Sequence, residues 1–217
     1  MSSDVASGRE IRLAFRYLDA KLEVIRAGFC SEITSEPSHI SRLTETAFLR
    51  EAAWVVLSSG MREAVVRRKF DAISDAFYGW RSAALIQARA QECESLAAVH
   101  FAHSAKLHAI TTIAARVANR GFAQFKAELQ DDPIESLSKL PFMGPATTRH
   151  LAKNIGYDVV KPDRHLIRIA EAAQFESVDS LCRAISSLVG DRVSAIDSVL
   201  WRYATLRSDY VNDFRES

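Results

Sequence analysis

The segment from Asp132 to Ala170 runs DPIESLSKLPFMGPATTRHLAKNIGYDVVKPDRHLIRIA. Its signals come in the order helix, sharp reversal, helix, extended loop, helix. Asp132 suits an N-cap, Pro133 the first helical position and Glu135 the acid of a capping box. Leu137 and Leu140 give that short helix one apolar side. Pro141-Phe142-Met143-Gly144 stops it, and Gly144 is the residue that reaches positive φ at least cost, as a sharp reversal requires. Pro145 opens the second helix, with Leu151, Ala152 and Ile155 turned inward and Gly156 as its C-terminal stop. Pro162 disfavours a helical Lys161, which makes residues 157–162 extended. A further helix starts at Asp163 and turns Leu166, Ile167, Ile169 and Ala170 to its inner side.

Working outward, Glu10 to Ala27 repeats apolar residues at helical spacing through Ile11, Leu13, Ala14, Leu18, Leu22 and Ile25, and Gly28 ends the run. The polar stretch 31–41, SEITSEPSHIS, is the place for a lobe boundary or crossing. Thr44 to Ser58 is apolar nearly all round, which predicts a central helix. Ser58-Ser59-Gly60 breaks it, and an amphipathic helix resumes through Val65, Val66, Phe70, Ile73, Ala76 and Phe77. More helix is expected over 80–99, 101–119, 121–129, 177–188 and 192–206, before a polar tail after Asp209. No segment alternates as a strand does, so the fold class is all-α.

A chain of 217 residues buries a proper core, as one unit or two packed lobes. The net charge of +1 gives no overall basic field, which disfavours a non-specific DNA coater but not an enzyme with a local basic surface. Cys30, Cys93 and Cys182 form neither a disulfide framework nor a metal motif, and point weakly to a reducing compartment. No apolar run approaches the ~20 residues of a membrane span, and no secretion signal opens the chain.

Leu140-Pro141-Phe142-Met143-Gly144, followed one helix and one loop later by Pro162-Asp163-Arg164-His165-Leu166-Ile167-Arg168, resembles a known signature. It is similar to the helix-hairpin-helix plus Gly/Pro…Asp signature of the endonuclease III superfamily of base-excision DNA glycosylases. The resemblance extends from about Thr44 to Leu206. It implies a six-helix barrel over residues 44–163, containing the helix-hairpin-helix at 132–156. It also implies a second helical lobe from residues 1–43 and 164–217, with hairpin and acid at the mouth of the cleft. The superfamily's four-cysteine iron–sulfur loop is expected to be absent, because no cysteine follows Cys182.

Breaking an N-glycosidic bond makes the deoxyribose oxocarbenium-like, and a fixed carboxylate beside it stabilises that charge and orients the attacking water. Asp163 is that residue by resemblance; its plain alternative role is a helix N-cap. By the same resemblance the hairpin would grip a DNA phosphate at a helix N-terminus, through Gly144, Ala146 and Thr147. Arg149, Lys153, Lys161, Arg164, His165 and Arg168 surround hairpin and acid in sequence and suit phosphate contacts. By position in the resemblance, Met61 or Arg62 fills the gap left by an extruded base. The carbonyls of Ser138, Leu140 and Met143 would hold a structural Na+ or K+; no cofactor is required. Trp54, Tyr78, Trp80 and Trp201 are the aromatics available to stack on a flipped base. Bifunctional relatives carry a lysine two residues after the hairpin glycine. Ala146 stands there, which implies a monofunctional enzyme that leaves an abasic site. The expected partner is double-stranded DNA with a damaged or modified base, met by a monomer in the cytoplasm, on the nucleoid, or in the nucleus. A non-catalytic lesion sensor on the same fold is the alternative.

Overall fold

The structure, a computed structural model, describes residues 8–34 and 40–215. All regular structure among these residues is helical. In chain order the α-helices are α1 (Gly8–Val24), α2 (Cys30–Thr34), α3 (Glu45–Ser58), α4 (Glu63–Ala76), α5 (Ala83–Ala88), α6 (Ala90–Ala98) and α7 (Ser104–Arg120). They continue as α8 (Phe122–Asp131), α9 (Pro133–Ser138), α10 (Pro145–Asn154), α11 (Arg164–Ala172), α12 (Val178–Val189) and α13 (Val193–Leu206). The chain divides into two compact units, Pro37–Tyr157 and Met1–Glu36 with Asp158–Ser217.

The middle unit is built on α3 and α7. Thr44 caps α3, its hydroxyl accepting from the Ala47 N–H at 3.2 Å. The helix then packs against α4, α7 and α10, with Phe48, Val55, Val56 and Leu57 fully buried. Burial of that many large side chains, at roughly 1.5–3 kcal/mol each, is what makes a helix apolar on all sides a core element. The helix expected over 80–99 is two helices, because Arg89 leaves helical geometry (φ −115, ψ 25) between α5 and α6.

The terminal unit packs α1 against α12 and α13, with α11 on α13. Its core joins Tyr17, Val24, Leu166, Ile169, Leu181, Ile185, Ile196 and Leu200. The division falls at residue 157 rather than 163, which puts Asp163 in this unit. The reason is local: Val160 lies in its core, Asp158 accepts from the Ser194 N–H (2.9 Å), and the Lys161 N–H donates to Asp197 (2.6 Å).

Three further expectations need correction. Ile11, Leu18 and Leu22 of α1 are exposed rather than inward, and so is Ile167 of α11. The tail beyond Asp209 is not merely polar: Tyr210 and Phe214 are buried, Phe214 edge-on to Tyr203. In the 31–41 connection, residues 31–34 belong to α2 and Ile40–Arg42 form a 3-10 turn, while 35–39 lie outside the described residues.

Candidate functional site

The hairpin lies in the middle unit. Asp132 caps α9 by accepting from the Glu135 N–H (3.0 Å), as its sequence requires. Leu140 and Met143 close the turn through N–H bonds to the Leu137 and Leu140 carbonyls at 3.0 and 3.3 Å. The residue with positive φ is Phe142 (φ 62), not Gly144, which sits at φ −72, ψ 175 as the residue before α10. The Thr147 hydroxyl holds this geometry, within reach of the carbonyls of Phe142 (2.8 Å) and Gly144 (3.0 Å). The Thr148 hydroxyl donates to the Met143 carbonyl (3.2 Å), and the Phe142 ring stands edge-on to His103.

Gly144 is exposed, and no side chain caps α10. Pro145 has no N–H. The first intrahelical bond is made by Thr148 to the Gly144 carbonyl (2.9 Å). The N–H groups of Ala146 and Thr147 therefore precede the helical ladder and point out of its positive end. A Cβ placed on Gly144 would meet nothing nearer than the Thr147 hydroxyl at 3.9 Å. Neither backbone angle nor packing demands glycine there. Arg149 and Lys153, half-buried, lie further along the same helix.

The carbonyls expected to hold a monovalent cation are a poor fit. Those of Leu140 and Met143 each already accept a hydrogen bond. The Arg116 guanidinium donates to the carbonyl of Lys139 (3.1 Å), between Ser138 and Leu140 in the chain, which brings a positive charge to the same turn.

Met61 and Arg62 follow α3 in an exposed turn, with Gly60 at φ 68 and the Met61 N–H bonded to the Ser58 carbonyl (3.0 Å). Sequence reading missed what fixes that turn. Lys106 of α7 is buried, and its ammonium donates to the carbonyls of Leu57 (2.8 Å) and Ser59 (2.5 Å). Burial lowers its pKa below the ordinary lysine value. A lysine inside an Ala/Ile-rich helix face carries no spacing signal that would have revealed this.

The acid lies in the terminal unit. Asp163 Oδ1 accepts from the backbone N–H groups of His165 (2.9 Å) and Leu166 (3.1 Å), capping α11. Oδ2 has no hydrogen-bond partner among the described residues. The capping reading of Asp163 is thus realised by one oxygen, which leaves the other available. The His165 ring meets the Tyr210 hydroxyl through Nδ1 (3.0 Å) and accepts from Arg164 Nε at Nε2 (3.4 Å). These partners select the neutral tautomer protonated on Nδ1. Its pKa is lowered, first by burial; the Asp163 carboxylate pulls it up, and Arg164 and Arg168 push it down. Asp197 and Ser194, which tie down the loop before Asp163, were also invisible in the sequence, because they lie on α13, distant in the chain from that loop.

The aromatics do not behave as a set. Trp80 is 2% exposed, stacked on Phe77 at 4.9 Å, with its indole N–H on the Ser74 hydroxyl, so it is core and cannot stack on a base. Trp54 is half-buried between the edge of Phe70 (5.2 Å) and the Arg67 guanidinium (5.4 Å). Tyr78 donates its hydroxyl proton to Glu92 (2.8 Å). Trp201 is in the terminal unit, packed on its core with Arg202 over the ring at 4.8 Å. No helix is long and apolar enough to cross a membrane among the described residues. Compared with protein families, characterised proteins and solved structures, the chain matches none of them.

Proposed function

We propose that this protein is a monofunctional base-excision DNA glycosylase. It would flip out a damaged or modified base and hydrolyse the N-glycosidic bond, leaving an abasic site. The observation that carries the reading is Gly144: an exposed glycine, required by neither its backbone angle nor its packing, at the uncapped start of a helix. A missing side chain there leaves room for an anion to approach the Ala146 and Thr147 N–H groups, as a DNA phosphate does. The resemblance of the hairpin and the Asp163 loop to the glycosylase signature then supplies the reaction. The middle unit, α3 to α10, is the part to which the barrel expectation applies, and Met61 and Arg62 are its candidates for filling the gap in the duplex.

Under this reading Asp163 Oδ1 is held by two backbone donors, and Oδ2 faces the developing charge on the sugar and orients water. With Ala146 where a lyase would need an amine, water is the nucleophile.

The test is single-turnover excision on a panel of duplexes, each with one modified base, resolved with and without hot alkali. Alkali-dependent cleavage on one duplex, lost in Asp163→Asn with DNA binding kept, is the expected result. Cleavage without alkali would overturn the monofunctional assignment. Wild-type excision by Asp163→Asn would remove that residue from the mechanism, and binding without cleavage on any duplex would favour the lesion sensor.

A further inference from the structure

Helix α1 carries two apolar faces. One, formed by Leu13, Ala14, Tyr17, Ala20 and Val24, is buried in its own unit. The other is Ile11, Phe15, Leu18 and Leu22, which are 44%, 64%, 39% and 49% exposed. Successive members of this second set lie four, three and four residues apart, the alternation of a coiled-coil seam rather than a scatter of single surface hydrophobes. The seam stops after Leu22: the helix is kinked at Gly28 (φ 91, ψ 9), and Ile25 and Phe29 pack on the unit's own core instead. At ordinary side-chain sizes the four residues leave roughly 300–400 Å² of apolar surface in water, the size of the largest patch on a typical monomer, which is often functional.

The charges beside the seam decide what covers it. Arg12 and Asp19, both exposed, stand one heptad apart along one flank. The other flank has Ala14 and Lys21, and Lys21 is paired with Asp191 at 2.5 Å. Consider a second copy running the opposite way, with a two-fold axis between Phe15 and Leu18. Ile11 then lies over Leu22, Phe15 over Leu18, and Arg12 of each chain beside Asp19 of the other, twice by symmetry. In a parallel pair Asp19 would face Ala14 and gain nothing. The mixed signs also give no preference for an anionic lipid surface.

We propose that α1 is a self-association surface on which two copies of this chain pair antiparallel through Ile11, Phe15, Leu18 and Leu22, with Arg12 and Asp19 setting the register. The inference is independent of the enzymatic reading. It departs from the monomer that the sequence invites, because periodicity alone counts both faces of α1 as inward.

Sedimentation velocity on the full chain, over concentrations bracketing ~10 µM where a small interface associates, reads this directly. The expected mass rises from one chain to two. Phe15→Glu and Leu18→Glu hold it at one chain with unchanged helical circular dichroism, since both side chains are exposed. Arg12→Asp and Asp19→Arg each weaken association ~10-fold or more by setting like charges together. The double reversal restores it, because the exchanged pair still meets across a two-fold. A one-chain mass throughout, with or without adsorption to anionic vesicles, overturns the proposal. So does a dimer indifferent to Phe15→Glu and Leu18→Glu. A double reversal no better than the single changes removes the antiparallel two-fold.

Discussion

Two residues separate what the fold needs from what the chemistry would need. Asp163 caps α11 with Oδ1, and asparagine caps nearly as well as aspartate, whereas alanine at such a position costs about 1 kcal/mol. Asp163→Asn is therefore expected to melt within a degree or two of wild type while losing excision by orders of magnitude. Asp163→Ala loses both. Thermal melts run beside single-turnover rates distinguish them, and excision kept in Asp163→Asn but lost with stability in Asp163→Ala would mean that Asp163 matters only as a cap. Gly144 gives the converse case. Its φ of −72 and open surroundings accept a Cβ, so Gly144→Ala is expected to leave stability within about 0.5 kcal/mol. In the proposed reading its duplex affinity falls several-fold, because the methyl group would occupy the path of a phosphate. Unchanged affinity by fluorescence anisotropy would take the hairpin out of DNA binding. Sequence reading placed the left-handed backbone at Gly144 because glycine adopts it most cheaply. The chain puts it at Phe142 instead, where the Thr147 hydroxyl takes the Phe142 carbonyl and His103 receives the ring. Those partners offset a backbone cost of about 1–2 kcal/mol that a rule based on residue type counts as prohibitive.

The element that presents Asp163 is the extended stretch 158–162, which has no ladder of its own. Its anchors are the Ser194 N–H on Asp158 and the buried Asp197 carboxylate on the Lys161 N–H. Asp197→Ala leaves a sheltered donor unsatisfied, at a cost of about 1–3 kcal/mol. In the proposed reading it also cuts the single-turnover excision rate more than it weakens duplex binding, because the acid would move while the groups that would hold phosphate stay. Asp197→Asn keeps an acceptor at that position and should recover most of the rate. Full activity in Asp197→Ala would show that α11's own cap suffices to place the acid. At this scale the sequence was legible wherever the signal is local. The Asp132 cap, the Pro133 and Pro145 starts and the Gly156 stop lie where the helix rules put them. What stayed hidden depends on residues distant in the chain. Asp197 and Lys106 act on segments their own helices do not adjoin in sequence. Trp80 looks like any other aromatic until Phe77, Phe70 and Ser74 enclose it. The second apolar face of α1 is indistinguishable from a core face by spacing, because both repeat at helical period.

For the whole molecule, the balance of 28 basic and 27 acidic residues means that no long-range field draws DNA in. Attraction then comes from a few local cations, and salt dependence counts them. In the proposed reading Arg62, Arg149, Lys153 and Arg164 are the side chains that neutralise phosphates, while the Ala146 and Thr147 N–H groups position a phosphate without carrying a full charge. Each neutralised phosphate contributes about 0.9 to the slope of log affinity against log salt, so four give roughly −3 to −4 on duplex DNA. Anisotropy titrations across a several-fold range of salt measure it. Arg62→Ala, exposed and in the turn after α3, should make the slope shallower by about 0.9 and weaken damaged and undamaged duplexes alike, unless its side chain enters the stack. In that case the loss falls mainly on the duplex with the extruded base, and Met61, its neighbour in the same turn, becomes the residue of lesser weight. A slope of −7 or steeper would demand a further basic surface that a chain of net charge +1 has to concentrate elsewhere. A flat line would leave no phosphate contact at all, and the DNA reading would fall with it.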